Sequence, residues 1–481
     1  MPTLPSEPVC PRGDAGPETS ARRGAVPAFV RRLRRVAAAA LVAALLAGCG
    51  GDSHHDHGEP PGAEDCTLAG QKSWLGRYMD DWYFWSGLAP HPDPAGYDSV
   101  DAYFEALLYT GTDPEFPADR WSYFQSSEAQ DRFYADGEAL DYGVSVTGVE
   151  ASADPGLPLR VRYVEPLSDA ARQGVERGDE VVSVAGRPAA ELIAADDYSA
   201  FAPSAPGQTL TLVLRRGGVE RTVLLTAGVY ALTPVPIGRV VTTSGGRALG
   251  YVLVKDMISQ ALGPLQQAYA GLRAAGVTEL VLDLRYNGGG LVSVATTVAS
   301  YAAAGAAGQP FATLLYNAKQ AAAHNATYAF QTLADALAPA RVYVLVGPRT
   351  CSAAEQVLNG LRGVGIDVVA IGDATCGKPV GFLPAESCGW TYDVVNFESV
   401  NARNEGRYFD GFAPTCAVAE DFGRALGDPA EPLLAAAASH ADGGVCPVAS
   451  ATAAKAQAAR AARARALLRG EPGTVRGMID R

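Results

Sequence analysis

The chain is short of positive charge. Its 39 Lys and Arg face 52 Asp and Glu, a formal net charge of −13 over 481 residues. Neutralising phosphates needs a basic face, so this balance excludes a protein built to hold nucleic acid. No stretch reaches the roughly 18 apolar residues of a spanning helix, which excludes a polytopic membrane protein. Eight cysteines are too few for a disulfide scaffold of this length. None forms a CxxC pair, so a zinc clasp is not expected. Histidine is scarce: of six, only His91, His324 and His440 lie beyond residue 57. That leaves little material for a Ser-His-Asp triad, and His324, in an Ala-rich stretch, reads as a loop or helix surface residue. What is present is an apolar fraction of 48%, ordinary for a folded chain of several domains.

The first 48 residues read as an export signal. Arg22, Arg23, Arg31, Arg32, Arg34 and Arg35 precede a short apolar run from Val36 to Leu46. A basic region, a short apolar segment and small residues make a secretory signal. The run closes on Leu46-Ala47-Gly48-Cys49, which resembles a bacterial lipobox and implies a lipid on Cys49. Gly50, rather than Asp, follows it, which in lipoproteins favours the outer membrane. A periplasm-facing lipoprotein is the expectation, with membrane attachment through the lipid. Removing residues 1–48 takes away seven Arg and three acids, leaving a formal charge of −17. Six cysteines then remain besides Cys49: Cys66, Cys351, Cys376, Cys388, Cys416 and Cys446. An oxidising compartment permits up to three disulfides, with the pairing open.

Composition divides the rest. Residues 49–65 are polar and read as a flexible tether. Residues 66–138 are rich in aromatics, with Trp74, Tyr78 and Trp82 spaced as on one helix face, which predicts a small helical N-terminal domain. Residues 139–229 alternate as strands do, at Leu159–Val164, Glu180–Val184, Leu210–Leu214 and Thr222–Leu225. A short helix opens at Ser168 or Asp169 between the first two. This run, with its stretch SDAARQGVERGDEVVSVAG, resembles a PDZ domain of the bacterial protease type. Such domains take peptide C-termini by adding a strand to a sheet edge. By that resemblance Tyr142, Gly143 and Val144 form the carboxylate-binding loop; an ordinary strand start is the alternative for the loop alone. Residues 236–440 alternate strand and helix, with continuous apolar strands at Glu279–Leu284, Arg341–Val346 and Asp367–Ile371, the mark of an α/β layered domain. Residues 441–481 hold an Ala- and Arg-rich helix, expected to be solvated.

Three segments carry the chemistry. Thr350-Cys351-Ser352-Ala353-Ala354-Glu355 follows a buried strand and opens a helix. A nucleophile suits that turn, because it is rigid and beside unpaired backbone amides. A helix cap is the alternative for Ser352 alone. Asp283-Leu284-Arg285-Tyr286-Asn287-Gly288-Gly289-Gly290 follows another buried strand, and its glycines let main-chain amides approach a reacting oxygen. It lacks the Lys-Ser/Thr ending of a phosphate loop. Asp373-Ala374-Thr375-Cys376-Gly377-Lys378-Pro379 follows a third. Lys378 alone could be a surface lysine; as a general base it needs burial to bring its pKa down from about 10.4.

Together these segments resemble the C-terminal processing, or tail-specific, serine peptidases. The resemblance covers nearly all of the chain after the signal. It implies a multidomain α/β protein: a crotonase-like catalytic domain, a PDZ β-rich domain and a small helical N-terminal domain. It implies Ser352 as nucleophile, Lys378 as base, and an oxyanion hole from the amides of Gly289, or a neighbouring glycine, and Ala353. It implies no metal or organic cofactor, and protein or peptide substrates recognised through their C-termini. One position departs. Many members carry Gln four residues after the lysine, where this chain has Phe382. Either another group positions Lys378, or a plain dyad operates. The departure leaves a second expectation open, a non-catalytic peptide- or ligand-binding lipoprotein on the same fold. A small-molecule esterase or amidase is a third, for which the PDZ domain is superfluous.

Overall fold

The computed structural model describes residues 62–63, 65–446, 459, 462–463 and 477–480. Cys49, the export segment, most of the tether and most of the Ala/Arg-rich helix lie outside them.

Two helices come first, α1 (Leu68–Trp82) and α2 (Val100–Leu107). Thr67 starts α1 by accepting the Gly70 N–H. Trp74 and Tyr78, four apart, stack at 5.1 Å and are buried, as their spacing predicts. After them, β1 (Tyr123–Ser126) leads into α3 (Ser127–Tyr134). This region does not stand apart. Its aromatics share one apolar core with residues 235–397, and Cys66 is disulfide-bonded to Cys388.

A β-rich module follows with a core of its own. It contains β2 (Glu138–Asp141), β3 (Val144–Val146), α4 (Gly148–Ala153), β4 (Val161–Val164), α5 (Asp169–Arg172), β5 (Glu180–Val184), β6 (Arg187–Pro188), α6 (Ala189–Ala195), β7 (Thr209–Arg216), β8 (Val219–Thr226) and β9 (Gly228–Ala231). Its largest sheet runs β6-β5-β7-β8. Gly217 and Gly218 turn β7 into β8, both with positive φ.

The third part opens with β10 (Ile237–Thr242) and β11 (Ala248–Leu253), then α7 (Leu262–Ala274) and β12 (Glu279–Asp283). Next come β13 (Gly290–Leu291), α8 (Val292–Tyr301), β14 (Pro310–Tyr316), α9 (Ala321–His324) and β15 (Ala326–Ala329). Then follow β16 (Arg341–Val346), α10 (Ala353–Gly363), β17 (Asp367–Gly372), β18 (Val380–Phe382), β19 (Ala385–Ser387), β20 (Trp390–Asp393) and β21 (Val395–Val400). The last are β22 (Cys416–Ala417), α11 (Pro432–Gly443) and β23 (Met478–Ile479).

The main sheet runs β10-β11-β12-β16-β17-β22, parallel from β11 onward. Alternation sorts its side chains. Val252, Leu280, Leu282, Val342 and Val344 pack toward Leu265, Leu358 and Leu361 of α7 and α10. Tyr251, Val281, Tyr343 and Leu345 pack toward Leu433 and Leu434 of α11. Burial on both faces explains why these strands are apolar without interruption. A second sheet runs β13-β23-β18-β21-β14-β15. Among the described residues, no helix is long and apolar enough to cross a membrane.

Candidate active site

Neighbouring parallel strands lie about 4.8 Å apart, so the loops leaving their same ends meet. β12, β16 and β17 are adjacent, and the three segments singled out by sequence leave their C-terminal ends. Hydrogen bonds tie them together. Thr350 Oγ1 donates to Leu284 O at 2.8 Å, and the Cys351 N–H to Asn287 O at 3.1 Å. The Cys376 N–H donates to Thr350 O at 3.0 Å, and Cys351 is disulfide-bonded to Cys376. The nucleophile turn is thereby joined to the glycine run on one side and to the lysine loop on the other.

Ser352 sits before α10 with φ 59° and ψ −120°. A left-handed φ at a non-glycine residue costs about 1–3 kcal/mol and persists only where the surroundings impose it. Here Glu355 imposes it. Its carboxylate accepts the N–H of Ser352 at 3.0 Å, of Gly377 at 2.9 Å and of Lys378 at 2.8 Å, together with Thr375 Oγ1 at 2.5 Å. Burial pushes the Glu355 carboxyl upward, and these four donors pull it back. A serine followed three residues later by glutamate is the pattern of a capping box. Both halves of that box are in place, with Glu355 accepting the Ser352 N–H and the Ser352 side chain facing the Glu355 N–H; Ser352 Oγ, fully buried, makes no hydrogen bond of full geometry among the described residues.

Lys378 is 1% exposed. Its burial brings the amine down to about 7, against the opposing pull of the Asp393, Asp119 and Glu355 carboxylates. Its Nζ lies 3.9 Å from the centroid of the Phe382 ring. Lys378 and Ser352 thus occupy one dry region, held by one carboxylate.

Within the glycine run the N–H groups differ. The Gly289 N–H donates to Asn287 Oδ1 at 2.9 Å, and the Gly290 N–H to Gly477 O at 2.8 Å. Gly289, the expected donor to an oxyanion, is engaged because the Asn287 side chain folds back onto it. The N–H groups of Gly288 and of Ala353 make no hydrogen bond among the described residues. The β-rich module holds a comparable local turn. Asp141 Oδ1 accepts the N–H of Tyr142 at 2.5 Å and of Gly143 at 3.1 Å, and Val144 pairs with Val164. The Tyr142 and Gly143 N–H groups of the loop expected to receive a peptide carboxylate thus rest on the Asp141 carboxylate.

The module nonetheless touches the site. Arg177 donates to Tyr286 Oη at 2.6 Å, one residue before Asn287, and pairs with Glu420 at 2.7 Å. Arg349, three residues before Ser352, pairs with Glu150 at 3.2 Å. Beneath them, Arg285 is buried between Asp283 and Glu431, both within 2.9 Å. His324 packs against Trp82 at 4.8 Å, as a helix surface residue does.

Known families match this arrangement. Residues 248–386 match the peptidase family S41 model, and residues 70–123 match the peptidase S41 N-terminal domain. The chain carries an S41 peptidase domain. It is 32% identical over 174 residues to a chloroplastic C-terminal processing peptidase of Tetradesmus obliquus, covering 32% of this chain and 36% of that one. It is 24% identical over 262 residues to a carboxyl-terminal-processing protease of a Picosynechococcus species, covering 53% and 60%. The matches thus span about a third and three fifths of these relatives' lengths. A crystal structure from Bacteroides fragilis, described as of an S41 protease, shares the fold. Its TM-score is 0.61 at 24% identity, over 77% of this chain and 97% of that one. The S41 domain spans the glycine run, Ser352 and Lys378, and its N-terminal companion spans α1, α2 and Asp119. Sequence reasoning missed Glu355, Asp119 and Asp393. For Glu355 the signal was present as its capping-box spacing from Ser352; for the two aspartates nothing local pointed to Lys378.

Proposed function

We propose that this chain is a serine endopeptidase with a Ser352–Lys378 dyad, acting on exported proteins near their C-termini. The observation that carries the reading is a fully buried lysine, its amine brought to about 7, on the loop that shares the Glu355 carboxylate with the Ser352 turn. An uncharged amine takes the Ser352 hydroxyl proton as Oγ attacks the scissile carbonyl. The N–H groups of Ala353 and Gly288 stabilise the resulting oxyanion. The Lys378 ammonium returns its proton to the leaving amine, an acyl-enzyme remains on Ser352, and water releases it. Proton transfer requires Oγ and Nζ within about 2.6–3.2 Å; the resting site, with Oγ unbonded, precedes that contact.

The module at residues 138–231 is read as a PDZ domain presenting substrate tails to the cleft, and Cys49 as the point of lipid attachment. Casein hydrolysis by the wild type beside Ser352→Ala and Lys378→Ala tests the reading. Both variants should lose activity, by about 10³-fold or more, as removal of a nucleophile or its base does. A wild type that hydrolyses nothing yet binds C-terminal peptides would instead make the chain a peptide-binding lipoprotein.

A further inference from the structure

Residues 477–480 return to the second sheet from beyond α11. β23 runs parallel to β13 on one side, pairing Gly290 with Met478 and Leu291 with Ile479. On its other side Ile479 pairs, again parallel, with Phe382 of β18. The Gly290 N–H donates to Gly477 O at 2.8 Å, and the Asp480 N–H to Phe382 O at 3.0 Å. The two strands it separates are those that carry the chemistry. β13 ends the glycine run, and β18 starts two residues after Lys378. Met478 Sδ lies 3.3 Å from Gln356 Nε2, one turn into α10 from Ser352.

The slot is shaped for this segment. A Cβ on Gly381 would stand 2.6 Å from Met478 O, and one on Gly477 would stand 2.2 Å from the Phe382 ring. Met478, Ile479 and Asp480 are fully buried. The Asp480 carboxylate accepts the hydroxyl of Tyr316 at 2.8 Å and that of Tyr328. Main-chain bonds to both flanking strands, with pockets for alternate side chains, are how an extended peptide is held by strand addition. Meanwhile Ser352 Oγ is buried and unbonded, and a nucleophile with no exposure cannot meet an incoming carbonyl.

We propose that the slot between β13 and β18 is the site that holds an extended peptide beside Ser352. It selects two bulky apolar residues followed by an acid, and Gly477–Asp480 is an internal peptide of that class that keeps it filled. This rests on the peptidase reading above. A strand needed only for folding and an internal occupant predict opposite results. Loosening the first lowers activity; loosening the second raises it.

The experiment uses the full chain with Ile479→Asp, and with Asp480→Ala, which removes the bonds to Tyr316 and Tyr328 and leaves the apolar strand residues in place. Casein hydrolysis should rise about ten-fold or more in kcat/KM, since a tethered ligand acts at an effective concentration of about millimolar. Free Gly-Met-Ile-Asp peptide should inhibit the opened variants competitively. A fluorescent form of that peptide should bind Ile479→Asp/Ser352→Ala in anisotropy and bind Ser352→Ala alone far less. Lower activity in both variants would overturn the proposal, as would unchanged activity with no peptide binding. Asp480→Ala decides where Ile479→Asp lowers the melting temperature sharply. Should no form of the chain hydrolyse casein, the peptidase reading falls; the anisotropy measurement still decides whether the slot holds peptide.

Discussion

The amine of Lys378 stands 3.9 Å over the ring of Phe382, the residue that occupies the place of the glutamine carried by many relatives. An aromatic face attracts an ammonium by about 0.5–2 kcal/mol, while the apolar surroundings repel it more strongly and bring it to about 7. Only the uncharged amine accepts a proton. Activity should therefore rise with pH through about 7 and level above it. Phe382→Leu removes the ring's attraction while keeping the site apolar, so the ammonium is stabilised less and the rise moves to lower pH, by about 0.4–1.5 units. Phe382→Gln offers a carbonyl oxygen to the ammonium and moves the rise to higher pH. The pH profile of kcat/KM measures both; a rise unmoved in either variant would dissociate Phe382 from the base.

The same burial has a cost in stability. In the unfolded chain Lys378 titrates near 10.4, and in the folded chain near 7, so between these values the unfolded state binds the extra proton. Stability should increase with pH across that window. Lys378→Met removes the penalty and should stabilise the fold at pH 7 by up to about 4 kcal/mol, with the gain shrinking toward pH 10. Urea unfolding at pH 7 and 9.5 tests the sign. A less stable Lys378→Met at pH 7 would mean that the amine is better accommodated than its burial implies.

Glu355 acts through the residues that it holds. Replacing it by Ala leaves the buried N–H groups of Ser352, Gly377 and Lys378 without their acceptor, at about 1–3 kcal/mol each. Glu355→Gln keeps the shape and one acceptor oxygen, so it should lose less stability than Glu355→Ala. Its kcat should still fall, because the amide cannot seat both the nucleophile turn and the lysine loop. Thermal unfolding and kcat, measured together on both variants, check this. Equal losses in the two would reduce Glu355 to a packing residue.

Much of this site was legible in the sequence because the main sheet is regular. Continuous apolar strands at Glu279–Leu284, Arg341–Val346 and Asp367–Ile371 announced themselves, and the residues just past their ends had to converge. The second sheet was not legible. Strands as short as Gly290–Leu291 and Met478–Ile479 have no periodicity to detect, and their partners lie far along the chain. Nor could spacing show that Asn287 would turn onto Gly289, or Asp141 onto Tyr142 and Gly143, since both depend on side chains folding back in the finished turn. The aromatic N-terminal region looked independent by composition, yet it shares its core with the S41 domain.

The cysteine pairing, open in the sequence, separates stability from activity. Cys351–Cys376 closes a span of 25 residues and Cys66–Cys388 one of 322. Loop-closure entropy makes the short link worth about 3.5 kcal/mol and the long one about 6 kcal/mol. The order for catalysis should be reversed. Cys351 precedes Ser352 directly, and Cys376 stands two residues before Lys378, so that link fixes the two reacting side chains relative to each other. Cys66 and Cys388 join α1 to the turn between β19 and β20. Paired serine substitutions at Cys351 and Cys376 should therefore cost less stability than those at Cys66 and Cys388, yet lower kcat more. If the long link proved the more important for kcat, the Ser352 turn and the Lys378 loop would have to be held together by Glu355 and the hydrogen bonds alone.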